Sequence, residues 1–332
     1  MTAPTRPFEE LTPRGQLLRL RALALDALGN YDLDVAGCSF AAAAFNTVFR
    51  VDTTGGSTYA LRMSPGLRIH ADGCERLEAA WVTALRRDVG LATPAVIPAS
   101  DGSSVVWSAT PGVPEPRSCV LFEWVRGRPL RQRMRADVVR QVGELAATVQ
   151  EHASVGASDA PTEAPNGALV ADRVLYFRTA ARLEELRPAY GSVLEEAEVR
   201  AQTALDALWR DPPHPPHLLH GDIQPGNVMV ARDRATLIDF QDLVWGFEIQ
   251  EVVMALQALD RFPDADALFR AFRAGYEARR LWPDADPETI AALHAARHLN
   301  VLKLGLSTRK PGLDEFIARH ADPVVSWMTT AG

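Results

Sequence analysis

The stretch that most constrains this chain is His217-Leu-Leu-His-Gly-Asp-Ile-Gln-Pro-Gly-Asn-Val-Met-Val230, followed closely by Leu237-Ile-Asp-Phe-Gln-Asp242. A carboxylate, Asp222, and a carboxamide, Asn227, share one tight loop. A second carboxylate, Asp239, follows a short apolar strand, and a third, Asp242, comes just after it. Oxygen donors of this kind suit a hard cation that keeps several of its waters. One carboxylate is then left to orient or deprotonate a hydroxyl. Together they are what a site needs to activate a hydroxyl while holding magnesium against a polyphosphate. The bland alternative is two surface hairpins built on Asx and Pro-Gly turns, which are common. The order of loop, strand and ligand pair favours the chemical reading.

The 332-residue length suggests two packed units. Upstream, Arg14–Leu28 has a helical apolar period ending at Gly29-Asn30. Phe45–Val51 and Thr58–Met63 alternate around a Thr53–Ser57 turn and read as a hairpin. Ala71–Arg87 reads as a helix, Ala95–Pro98 and Val105–Ala109 as strand pieces, and Ser118–Val125 as a buried strand. Downstream the texture changes to alanine-rich amphipathic helices at about Ala136–Glu151, Ala171–Leu186, Ser192–Trp209, Glu248–Leu259, Ala265–Leu281, Pro287–Leu306 and Leu313–Met328. A loop spans Ser154–Gly167, and Asp211-Pro-Pro-His-Pro-Pro216 is a stiff lead-in to the catalytic stretch. The expectation is an α+β chain, with a small strand-rich unit over 1–124 and a larger, mostly helical unit over 125–332.

Composition serves here to exclude. Net charge is −7 with no basic stripe, which argues against a nucleic-acid partner. No apolar run has the length of a membrane span, and the N-terminus lacks the apolar core of a signal peptide. Cys38, Cys74 and Cys119 are far apart and in no ligand spacing, as in a reduced compartment. The expected location is cytoplasmic, with no membrane partner. Oligomeric state is not legible.

If the downstream loops hold magnesium, the upstream sheet should supply a cation for the α/β-phosphates. Strand alternation puts Thr58, Ala60 and Arg62 on one face. The small Ala60 suits an adenine, and the guanidinium of Arg62 can bind two phosphate oxygens at once. Glu78 shares the inward face of the next helix with Trp81, Val82 and Leu85, and an inward glutamate needs a cation. Arg62–Glu78 is therefore the expected pair, with Glu75 one turn earlier as the alternative. Gly37–Asn46 offers small residues beside phosphate, with Ser39 and Asn46 as its polar candidates. Glu123-Trp-Val125 is placed to offer backbone groups to adenine.

His220-Gly-Asp222, Asn227 and Ile238-Asp-Phe240 resemble the catalytic half of the kinase signature. They are most similar to the aminoglycoside phosphotransferase-like superfamily, which includes choline kinases, type II homoserine kinases and a bacterial stress-response Ser/Thr kinase group. The likeness extends to Asn46–Val51, Tyr59–Arg62, Val125–Leu130 and Glu248–Leu256. It implies a bilobal protein-kinase-like fold that uses ATP, or GTP in some members, with Mg2+ and a small-molecule hydroxyl acceptor. It makes Asp222 the base or hydroxyl-orienting residue, with His220 and Gln224 beside it in the catalytic set. His220 would support the loop and not shuttle protons. Asn227 and Asp239 become the magnesium ligands and Arg62 the phosphate-binding cation. Two positions depart from the pattern: Gln224 stands where members often have histidine, and Arg62 replaces lysine. With no room for a long activation segment after Asp239, a small acceptor is favoured over a protein substrate. A pseudokinase is disfavoured because Asp222, Asn227 and Asp239 are all present. On the acceptor side, Asp242, Glu248 and Glu251 could face an amine or simply complement a helix N-terminus and solvent. Arg297, His298 and Lys303 could reach an anionic acceptor, with solvent exposure the simpler expectation.

Overall fold

The computed structural model describes residues 6–154, 163–308 and 312–330. The start of the N-terminal segment and residues 155–162 of the Ser154–Gly167 loop lie outside the described residues. The chain forms two compact units. One comprises Met1–Arg68, Glu78–Asp88 and Thr93–Arg126, and the other Ile69–Leu77, Val89–Ala92 and Gly127–Gly332.

The first unit is a helix against a sheet. Helix α1 (Pro13–Leu28) starts where the hydroxyl of Thr12 accepts the Gly15 N–H at 3.2 Å, with proline at the first helical position. Strands β1 (Val35–Ala43), β2 (Thr47–Thr53) and β3 (Thr58–Met63) follow as two successive hairpins. Helix α2 (Cys74–Val89) comes next, then β4 (Val96–Ile97), β5 (Val106–Ser108) and β6 (Arg117–Glu123). The strand order is β1-β2-β3-β6-β4, with β5 also paired to β6. The two-residue side-chain period sends Leu61 and Met63 into a core with Leu23, Phe49, Val51 and Leu121. Arg62 therefore lies on the other face of β3.

The second unit is mostly helical. It contains β7 (Arg128–Pro129), α3 (Ala136–Ser154), β8 (Leu169–Val170), α4 (Arg187–Tyr190), α5 (Val193–Arg210), β9 (His217–Leu219), β10 (Val228–Ala231), β11 (Arg234–Leu237) and β12 (Val244–Gly246). Helices α6 (Glu248–Asp260), α7 (Ala265–Glu277), α8 (Pro287–Thr308) and α9 (Leu313–Thr330) complete it. Two small sheets, β11-β10-β7 and β8-β12-β9, carry the loops of the opening motif. No helix among the described residues is long and apolar enough to cross a membrane.

The expected helix over Ala171–Leu186 is not there; only Leu183–Leu186 forms a short 3-10 turn. Tertiary partners take the backbone groups that a helix would have used. The Ala171 N–H goes to Trp245 O at 2.9 Å, while its carbonyl accepts from Trp209 Nε1 and Gln250 Nε2, both at 2.9 Å. Further along, the Val174 N–H donates to Gln202 Oε1 at 2.9 Å and the Arg178 N–H to Ile69 O at 2.9 Å. Helical periodicity survives in this sequence because its apolar side chains still reach the helical core, through Val174, Leu183 and Leu186.

Candidate active site

Two local constructions bring the motif together. The first is the hairpin β10–β11, whose register pairs Val228 with Leu237. Asn227 precedes one strand and Ile238-Asp239 follows the other, so both lie at the open end of the hairpin. The Ile238 N–H donates to the Asn227 carbonyl at 2.9 Å and ties the ends together. The turn at the closed end is Arg232-Asp233, both with positive φ (48° and 64°), as a two-residue hairpin turn requires. Asp239 itself has φ 64°, a left-handed conformation uncommon outside glycine. Strain of this kind concentrates at functional sites.

The second is the loop after β9. Gly221 has φ 80°, and a Cβ there would stand 1.9 Å from the carbonyl oxygen of Asp242, so only glycine fits. Its N–H donates to Glu251 Oε1 at 2.8 Å. His220 is fully buried, with Nε2 at 3.2 Å from the Ile238 carbonyl and Nδ1 accepting the Asp222 N–H at 3.2 Å. That arrangement assigns the proton to Nε2. Burial lowers the pKa of His220 to about 4, so the ring is neutral at pH 7 and acts as a spacer between the two loops. Its ring lies tilted against that of Phe240, with centroids 4.3 Å apart.

Asp222 is held at every corner. Asn227 Nδ2 donates to its Oδ2 at 2.7 Å and to its backbone carbonyl at 3.0 Å. Gln224 Nε2 donates to the same Oδ2 at 2.8 Å, and Arg297 Nη2 to Oδ1 at 2.7 Å. Burial pushes the Asp222 carboxyl above its ordinary value against the pull of Arg297, and the nearby Asp242 charge adds to the rise. Asp242 moves the other way. Burial would raise it, but His70, with Nε2 at 2.6 Å from Oδ1, brings it below the usual carboxylate value.

The downstream acidic residues are not a solvated face. Glu251 is 1% exposed, and its Oε2 accepts from Gln150 Nε2 at 2.8 Å. Gln150 in turn accepts the Tyr276 hydroxyl at 2.5 Å. Burial pushes the Glu251 carboxyl up to about 7, with the Gln150 and Gly221 hydrogen bonds opposing. Glu248 is likewise buried, at 3% exposure. Arg297 also departs from the solvent-exposed expectation. It lies on α8 with its side chain 14% exposed, bound to Asp222 and within 3.4 Å of the Tyr176 hydroxyl. Nothing along the chain links it to Asp222, because the two residues are 75 positions apart and an arginine on a late helix is ordinarily at the surface. Arg261 adds a second cation, with Nη2 at 3.4 Å from Gln224 Oε1. The field on Arg261 includes Asp222, Arg131, Arg297 and Arg319. Tyr176 also lines a cavity of about 530 Å³ together with Arg173, Arg178, Thr179 and Lys303.

In the first unit, Arg62 is buried and its guanidinium grips both carboxylate oxygens of Glu78, with Nη1 to Oε1 at 2.7 Å and Nη2 to Oε2. The Phe122 ring lies 5.1 Å from the guanidinium carbon. Asn46 is buried in the turn joining β1 and β2, Ser39 is exposed on β1, and Ala60 is half-buried opposite Phe122. Glu123 is exposed at the end of β6 and Val125 is half-buried beyond it. The N–H groups of Glu123 and Trp124 are taken by Ala95 O at 2.8 Å and Thr58 O at 3.3 Å. Any adenine contact from this stretch must therefore use other atoms.

A loop carrying Asp222 and Asn227 and a hairpin end carrying Asp239 follow the order of loop and strand found in a protein-kinase-like fold. Residues 38–293 match the phosphotransferase enzyme family APH. The chain belongs to that family: it is a phosphotransferase with an alcohol group as acceptor. Among solved structures it is similar to a microcompartment-associated aminopropanol kinase (TM-score 0.69, 21% identity, 92% of this chain and 94% of that one). An amicoumacin kinase solved in complex with AMP-PNP, Ca2+ and Ami is also similar (TM-score 0.68, 16% identity, 94% and 93%). So is a spectinomycin phosphotransferase in complex with ADP and spectinomycin (TM-score 0.59, 11% identity, 95% and 98%). Among curated protein sequences none matches significantly.

Proposed function

We propose that the protein transfers the γ-phosphoryl group of ATP to the hydroxyl of a small acceptor that also carries an anionic group, such as a homoserine-type hydroxy acid. The observation that carries the acceptor class is the salt bridge of Arg297 to Asp222, with Arg261 beside Gln224; Arg297 also meets the hydroxyl of Tyr176, which lines a cavity with Arg173, Lys303 and the Asp72-paired Arg178. Such surroundings favour a carboxylate and disfavour a polycationic aminoglycoside.

In this reading Asp222 accepts the hydroxyl proton, and its raised pKa suits a base that must hold the proton in transit. His220 fixes the loop. Gln224 spends its amide donor on Asp222, so it orients the base instead of reaching phosphate. Asn227 and Asp239 hold Mg2+. The fit is chemical: Asn227 Nδ2 is committed to Asp222, which turns the hard carbonyl oxygen into the ligand atom, and Asp239 supplies a carboxylate. Bound there, the ion would neutralise phosphate charge during in-line transfer. In the first unit, Arg62, oriented by Glu78, is the phosphate-binding cation, with Asn46, Ser39, Ala60, Glu123 and Val125 in supporting nucleotide contacts. Catalysis is mostly positioning and charge neutralisation.

The test is an ATP-consumption screen with Mg2+ over homoserine-type hydroxy acids, amino alcohols, choline and aminoglycosides, alongside Asp222→Ala. Turnover with a hydroxy acid that Asp222→Ala abolishes is the expected result. Turnover confined to polycations would overturn the acceptor class, and substantial activity in Asp222→Ala would remove it from the base role.

A further inference from the structure

Beside the catalytic loop, and separate from it, three side chains converge. His214 lies in the proline-stiffened lead-in, His217 opens β9, and Glu248 opens α6. Their nearest ligand atoms all lie within 4.8 Å of one another. His214 Nδ1 is 2.9 Å from the Pro215 carbonyl, which can only accept, so Nδ1 carries a proton and Nε2 is the atom left for another partner. That nitrogen points at Glu248 Oε2 from 2.6 Å. At that distance the pair shares a proton, which a metal ion would displace. His217 Nε2 is 4% exposed, with no hydrogen-bond partner among the described residues and 3.5 Å from Glu248 Oε1. Buried polar atoms without partners are costly and call for an explanation. Here an unpartnered imidazole nitrogen faces a carboxylate and a second imidazole.

We infer that His214 Nε2, His217 Nε2 and the Glu248 carboxylate form a binding site for a zinc-class divalent cation, distinct from the proposed magnesium ligands. Two imidazoles and a carboxylate match the donor set that such ions prefer, whereas Mg2+ prefers oxygen alone. The other oxygen of Glu248 is bonded to Arg280, which orients the carboxylate as an outer partner. His214, with 38% of its side chain exposed, leaves the fourth position open to solvent.

The site would stiffen the catalytic loop from outside. His217 is three residues before His220, and Glu248 is one turn before Glu251, whose carboxylate holds the Gly221 N–H. A bound ion would pin the lead-in, β9 and α6 to one another.

The experiment uses the full chain stripped with a chelator, then titrated with Zn2+ alone by calorimetry and with Co2+ by absorption. The expected result is one equivalent of Zn2+ per chain and a Co2+ spectrum of nitrogen and oxygen ligation. His214→Ala, at a half-exposed position, should weaken binding by more than the 10- to 100-fold typical of losing an outer partner. His217→Ala should do the same if it folds; His214→Ala decides if it does not. Asp239→Ala and His298→Ala should leave the zinc stoichiometry unchanged. His298 tests the other close imidazole pair, His298–His320, whose Nδ1 atoms are 3.1 Å apart. Absence of stoichiometric Zn2+ binding, binding indifferent to His214→Ala, or binding lost in His298→Ala would overturn the inference.

Discussion

Glu251 gives the sharpest test of how the catalytic loop is supported, because its effect on stability has a definite sign and pH window. Burial raises its carboxyl from 4.5 to about 7. At about 1.4 kcal/mol per pH unit, that rise is on the order of 3 kcal/mol. The side chain is 1% exposed, so solvent screening removes little of it. For an acid whose folded value is raised, the native state binds more protons than the unfolded chain between the two values. Stability therefore falls as pH climbs from about 4.5 through about 7, and levels off above. Glu251→Gln keeps the shape and cannot ionise. Its carbonyl can still accept the Gly221 N–H, and its amide can be met by Gln150 turning over, since the Tyr276 hydroxyl both donates and accepts. Denaturant unfolding of both proteins from pH 4.5 to 8 should show near-equal stability at the acid end. Towards pH 8 the variant should gain, relative to wild type, up to the order of 3 kcal/mol. Taking the difference between the two proteins removes the histidines that titrate in the same range. A flat difference curve, or a wild type that gains on the variant as pH rises, would refute the burial argument.

Three further outcomes follow from the same structure. Asp239→Asn should weaken Mg2+-dependent nucleotide binding by at least about 10-fold, measured by calorimetry, while unchanged affinity would remove Asp239 from the ligand set. In a double-mutant cycle on nucleotide affinity, Arg62→Met and Glu78→Gln should couple by about 0.5–3 kcal/mol, and strict additivity would separate the observed ion pair from phosphate binding. Arg297→Met removes the cation that opposes the rise of Asp222, so the acid limb of the kcat/KM profile should move to higher pH. A limb left in place would mean that another group sets it.

What was legible in the sequence depended on whether the cause was local. The Asp222–Asn227 spacing, the short apolar strand before Asp239 and the helices at 136, 193, 248, 265, 287 and 313 are each specified by neighbours along the chain. Arg62–Glu78 was readable because strand and helix periods each fixed one inward side chain. The partners of Arg297, Glu251 and His70 were not readable, since each is brought close only by folding. A glutamate in the first turn of a helix has the same sequence appearance whether it caps the dipole in water or is buried on a loop N–H. The false helix at 171–186 is the same lesson in the backbone: apolar period was right, but side chains of α5 and backbone of β12 outbid the helical hydrogen bonds.

The hydrogen bonds of Asp222 also bear on how an acceptor would be selected. Its Oδ2 is filled by Asn227 and Gln224, so the oxygen that could take a hydroxyl proton is Oδ1, where Arg297 now sits at 2.7 Å. A hydroxyl can reach Oδ1 only if Arg297 gives up or shares that oxygen. A neutral or cationic alcohol offers the guanidinium nothing in exchange, and moving it would leave a buried charge without its partner, at a cost of several kcal/mol. An acceptor carboxylate offers an equivalent anion, so binding it both satisfies Arg297 and exposes the base. Specificity would then come from the acceptor completing the site. The expected outcome is that a hydroxy acid is phosphorylated with kcat/KM at least about 100-fold above that of its amide, a gap of about 2.7 kcal/mol, and that Arg297→Met narrows it. Equal turnover of acid and amide would show that Arg297 does not gate Asp222.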